Sequence, residues 1–108
     1  MPIIPMPKGA LAMLILRVLQ SGPSHGYAIA QRIRQLSGDV LDAEEGSLYP
    51  ALQRLLMEGW ATAEWGTSET GRRVRFYKLT SEGARQLKRE RKEYEQATGA
   101  IQAILRMA

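Results

Sequence analysis

Cysteine is absent from the 108 residues, and histidine occurs once, at His25. The first absence removes any disulfide framework and any thiolate metal site, in keeping with a reducing cytoplasm. A single imidazole without thiolates cannot assemble a zinc ligand set, so no metal is expected. Paired titratable groups are missing as well. Glu44 and Glu45 are neighbours that a helix would turn away from each other, and Ser47 and Asp42 sit in no nucleophile signature. No catalytic residue, no cofactor and no enzyme activity are therefore expected. Long apolar runs are lacking too. The nearest lies in MPIIPMPKGALAMLILRVLQ, where Pro2, Pro5 and Pro7 break the front and Arg17 interrupts the end. It is too short to cross a bilayer and no small-residue cleavage site follows it. A cytoplasmic chain without a membrane segment is the expectation.

What is present is positive charge, unevenly placed. Up to Gly71 the chain carries five basic and seven acidic residues, a net −2; from Arg72 onward it carries ten and four, a net +6. A one-sided basic field concentrates polyanions near it. The change of sign falls within TSETGRRVRFYKLT, where Gly71 is followed by Arg72, Arg73 and Arg75. Arginines at a turn need solvent or a polyanion to face.

Periodicity supplies the framework. Leu11, Leu14, Ile15, Val18 and Leu19 recur at helical spacing until Gly22-Pro23 ends the segment. Ser24 is expected to cap a second helix, about His25 to Ser37, with Ile29, Ile33 and Leu36 on one face and Gly38 as its stop. DVLDAE has room for a brief strand. In EGSLYPALQRLLMEG, Leu48, Leu52, Leu55 and Leu56 share one side and Ser47, Pro50, Gln53 and Arg54 the other. Proline is tolerated in a first helical turn, which predicts a start near Gly46 or Ser47. WATAEW and RVRFYKLT, either side of GTSETGR, read as a β-hairpin. Thr80 reads as the N-cap of a last, long helix, although Gly83 stands where a full capping box has Glu or Gln. Along that helix Ala84, Leu87, Arg91, Tyr94, Thr98, Ile101 and Leu105 follow heptad steps, with Ala97 and Ile104 alongside. A narrow stripe of that length needs a second copy to cover it, so Leu87, Tyr94, Ile101, Ile104 and Leu105 are the expected dimerisation residues.

The fold class predicted is mostly α with a small β-hairpin: a winged helix-turn-helix over residues 1–80 and a C-terminal dimerisation helix over 81–108. Such an arrangement places one helix in the major groove and lays the hairpin, or wing, on the backbone. Arg72, Arg73 and Arg75 then suit phosphates or a narrow minor groove. A solvated turn, with charge serving solubility alone, is the plainer alternative. Gln53 and Arg54 join the candidates by lying on the exposed arc of the third helix.

HGYAIAQRI, GSLYPALQRLLMEGW, and RRVRFYKLTSEG followed by RQL, in that order, resemble the PadR family, named for the phenolic acid decarboxylase regulator. The likeness runs over nearly the whole chain and is greatest to the short branch with a single C-terminal dimerising helix. It implies a homodimeric transcriptional repressor that binds an inverted-repeat operator on double-stranded DNA and leaves it when an effector binds, a small molecule of unidentified class being one candidate, or when conditions change. On that resemblance Ser47 and Tyr49 open the recognition helix, and Tyr27 meets a phosphate at the start of the second helix. Packing against a neighbouring helix is the other role open to each tyrosine. Multidrug-sensing members stack aromatics on a tryptophan of the last helix; this chain departs from them, with Tyr94 there and both Trp60 and Trp65 in the hairpin. The alternative function is a winged-helix module that binds only proteins, its basic side docking an acidic partner.

Overall fold

The computed structural model describes residues 3–7 and 9–108. Its elements run α1 (Ala10–Leu19), β1 (Ser24–His25), α2 (Gly26–Leu36), α3 (Glu45–Met57), β2 (Ala61–Thr67), β3 (Arg73–Leu79) and α4 (Ser81–Leu105). Three antiparallel strands in the order β1-β3-β2 sit beside the helices. The fold is a winged helix-turn-helix continued by a long helix, the class the sequence predicts.

Six side chains are fully enclosed: Ile15 and Leu16 of α1, Ile29 of α2, and Leu48, Leu52 and Leu55 of α3. Tyr77 from β3, Trp60 and Leu87 close the periphery. α1 turns Ala12, Ile15, Leu16 and Leu19 inward, while Leu11, Leu14 and Val18 are only half-buried. Its sequence is apolar nearly all round, so spacing alone could not choose between the two faces. Leu36, expected with Ile29 and Ile33, is exposed because α2 outlasts the core there.

Both α2 and α3 end in the same way. Gly38 (φ 63°) and Gly59 (φ 75°) take left-handed backbone. The following N–H groups of Asp39 and Trp60 then reach back to the carbonyls of Arg34 and Leu55, both at 2.9 Å. That six-to-one closure consumes otherwise orphaned carbonyls and favours glycine at the turning residue. Four local expectations shift. His25, not Ser24, caps α2, its Nδ1 accepting from the Ala28 N–H at 3.4 Å. Ser24 and His25 instead pair with Tyr77 and Phe76 as a third strand. α3 begins at Glu45, earlier than expected, so Pro50 lies sixth in the helix and leaves the Gly46 carbonyl without an amide donor. DVLDAE forms no strand but an isolated parallel bridge from Leu41 to Ile4, with the Ile4 N–H donating to Val40 O at 3.0 Å. Part of the N-terminal stretch expected to be loose is thereby tied down; Met1 and Pro2 lie outside the described residues.

Thr80 fixes where α4 starts. Its hydroxyl donates to Gly59 O at 2.7 Å and accepts from the Gly83 N–H at 3.0 Å, while its own N–H donates to Trp60 O. Gly83 is buried against Trp60 and Leu79, which explains why no longer residue completes the capping box. Leu87 is 3% exposed inside the core of its own chain, a correction to its expected place on the dimer seam. The first two turns of α4 face α1 and the core; every residue from Arg91 on is exposed apart from Thr98, which is half-buried.

Candidate nucleic-acid interface

The helix-turn-helix arises because α2 and α3 pack through a glycine. A Cβ at Gly26 would meet the Tyr49 ring at 3.3 Å, so the absence of a side chain lets that ring lie against the start of α2. Tyr49 thus packs against the start of α2 and remains half exposed. Tyr27, on the next position of α2, projects outward and its hydroxyl accepts from Gln31 Nε2 at 3.1 Å. Ser47 and Gln53 stand exposed on α3. Arg54 is exposed as well, with its guanidinium 5.5 Å from the centre of the Trp60 ring, so its position is set by stacking. α3 carries one acid and one base, Glu45 and Arg54. Its exposed arc is polar and close to neutral, suited to hydrogen bonding and poor as a phosphate clamp.

Cationic groups gather on the hairpin. The loop between β2 and β3 is held by Ser68, whose N–H donates to Arg72 O at 2.8 Å and whose hydroxyl accepts from the Arg72 N–H at 3.2 Å. Gly71, at φ 82°, supplies the left-handed step that aims the chain back. Arg72 is exposed at this tip. Cross-strand register then decides the faces. Trp65 pairs with Arg75, Thr67 with Arg73 and Ala63 with Tyr77, so these six side chains share one side of the hairpin. Guanidinium carbons of Arg73 and Arg75 lie 5.1 and 5.9 Å from the Trp65 ring centre, and Arg75 lies 5.8 Å from that of Tyr77. On the other side Phe76 covers Gly66, where a Cβ would come within 2.8 Å of its ring, and meets His25 edge-on at 5.6 Å. Lys78 is exposed on that second side.

Trp65 is not among the candidates that the sequence marks. Alternation of Arg73, Arg75 and Tyr77 is visible in the sequence, but which residue of the first strand faces them depends on register, and register depends on the loop. The expected seam residues Tyr94, Ile101, Ile104 and Leu105 are all exposed on α4. Between α1 and α4 runs an open groove of about 290 Å³ lined by Gly9, Met13, Glu90, Glu93 and Tyr94; no tryptophan reaches it. Among the described residues no group of three or more metal-ligating side chains occurs, and no helix is long and apolar enough to cross a membrane.

The model of the Transcriptional regulator PadR-like family matches residues 15–89. A transcriptional regulator from Clostridium thermocellum is similar in structure, with 31% identity, a TM-score of 0.81, and coverage of 89% of this chain and 93% of that one. A PadR family transcriptional regulator from Eggerthella lenta gives 26% identity and a TM-score of 0.79 over 94% of this chain and 86% of its own. An uncharacterised protein of Lysinibacillus sphaericus is 28% identical over 91% of this chain and 90% of its length.

Proposed function

From its membership of the Transcriptional regulator PadR-like family, which makes the chain a DNA-binding transcription regulator and not an enzyme, we propose that it works as a homodimeric repressor on an inverted-repeat operator. The observation that carries this reading is a division of labour in charge. The exposed arc of α3 offers neutral polar groups, Ser47 and Gln53, beside the single cation Arg54, whereas the hairpin offers Arg72, Arg73 and Arg75 with no carboxylate partner within 4 Å among the described residues. Neutral hydrogen-bonding side chains read base edges; guanidinium groups neutralise phosphates. Tyr27, exposed at the N-terminus of α2, takes a phosphate through its hydroxyl and the N–H groups of that first turn other than that of Ala28, which His25 caps. Tyr49 sets the angle between α2 and α3 and offers its exposed edge to the groove.

Two copies join through α4. The apolar positions Tyr94, Ile101, Ile104 and Leu105 stand uncovered on an arm that stretches the molecule to 56 Å along its longest axis. A second α4 covers them and sets two recognition helices one or more duplex turns apart, about 34 Å per turn. Residues 1–80 then hold the DNA contacts and 81–108 the dimer, with Leu87 shared by the core. A small-molecule effector would act by changing the spacing of the two halves.

Footprinting on DNA around the gene, combined with titration against salt, tests the reading. A two-fold-symmetric protected site is expected, with log Kd against log salt rising about 0.9 per phosphate neutralised. Arg72→Ala with Arg73→Ala weakens binding to all sequences alike and makes that slope shallower by about 2. Protection without symmetry, or an unchanged slope, overturns it; binding to an acidic protein with indifference to every duplex would favour the protein-docking module.

A further inference from the structure

Trp65 lies outside the hydrophobic core and is 60% exposed, on a strand whose other apolar side chains pack inward. Burial therefore does not account for it. What surrounds the indole is charge: Arg73 and Arg75 both bring their guanidinium carbons within 6 Å of its centre, and Arg75 is also against Tyr77. Along one side of the hairpin the order is Arg73, Trp65, Arg75, Tyr77, a ladder of alternating cations and rings. Glu64 lies on the opposite side, since it pairs with Phe76, and no described carboxylate is within ion-pair distance of either arginine.

Stacking uses the flat face of a guanidinium and leaves its in-plane N–H donors free for oxygen acceptors. A free arginine on a hairpin must surrender rotamer freedom when it binds an anion, and that loss weakens binding. One held against a ring has surrendered much of it beforehand. Resting on the DNA-binding reading above, we propose that Trp65 is a positioning residue of the wing: its indole holds Arg73 and Arg75 in place as a preformed pair of donors for the phosphate oxygens of a duplex.

The test uses the full chain and a mixed-sequence duplex, with Kd measured across a salt series. Trp65→Phe keeps a ring and should bind within about twofold of the parent chain. Trp65→Leu keeps apolar bulk without the ring's charge distribution and should bind about three- to tenfold more weakly, since two contacts are lost and each is worth about two- to fivefold at an exposed site. In a chain already carrying Arg73→Ala and Arg75→Ala, adding Trp65→Leu should change nothing further, because no guanidinium remains to be positioned. Circular dichroism and melting check the fold; if Trp65→Leu does not fold, Trp65→Thr, suited to a strand, replaces it. Parent-like affinity for the Leu or Thr variant, or an equal loss with and without the two arginines, overturns the positioning role while leaving DNA binding intact. Failure of the parent chain to bind any duplex overturns the reading beneath it.

Discussion

A methyl group on Gly83 would sit 2.7 Å from Leu79 Cδ1 and closer still to the carbonyl oxygen of Trp60. One of these is backbone and cannot step aside, so the first turn of α4 must move. Gly83→Ala should cost about 3 kcal/mol, the upper end of what overpacking usually takes, and lower the melting temperature by more than about 10 °C. A thermal melt within a degree or two of the parent would show that α4 can shift at no cost. The neighbouring Thr80 is legible as a cap from sequence because its side chain acts locally, three residues from Gly83. The reason for Gly83 is not legible, since it depends on Trp60, far along the chain. His25 is a similar case. Sequence marks a cap at the Gly22–His25 turn, but the choice of His25 over Ser24 follows from Ser24 entering a strand with Tyr77.

Among the elements, α3 shows how far periodicity reaches. Leu48, Leu52 and Leu55 are buried as their spacing predicts, and Leu56 less so, being at the edge of the stripe. The start differs from the expected one because a proline does not require a first-turn position. Instead the helix continues past a missing bond: Gly46, four residues back, is exposed, so water can reach its carbonyl. Pro50→Ala restores an amide donor there and should raise stability by about 1 kcal/mol or more, read as a higher midpoint in urea with an unchanged slope. A lower midpoint would mean that the fixed backbone of proline outweighs the lost bond. β1 could not be foreseen at all. Two residues carry no alternation, and their pairing is dictated by where β3 already lies. The ladder on the hairpin was hidden for the same reason, since only the register Trp65 to Arg75 creates it.

For the whole molecule, heptad spacing in α4 conceals two environments. Leu87 and Ile101 fall on the same predicted seam, yet one is 3% and the other 57% exposed. Steps of three and four residues cannot tell a stripe against α1 from a stripe against a second copy. Their variants should therefore separate. Leu87→Ala lowers stability by about 2–5 kcal/mol, as cavities in cores do. Ile101→Glu with Ile104→Glu leaves the winged unit folded and should yield a monomer in sedimentation at micromolar concentration. Persistence of the parent's mass in the double variant would place the interface elsewhere.

The hydroxyl of Thr80 bridges the Gly59 carbonyl, two residues beyond the end of α3, to the Gly83 amide in the first turn of α4, and so ties the proposed recognition helix to the arm beyond it. With Leu87 seated in the core as well, α4 acts as a stiff lever about 37 Å long for its 25 residues. A tilt of about 5° at its free end swings the opposite end through about 3 Å, as large as the rise from one base pair to the next. In the proposed dimer, small changes where two such arms meet become whole-step misalignments at the duplex.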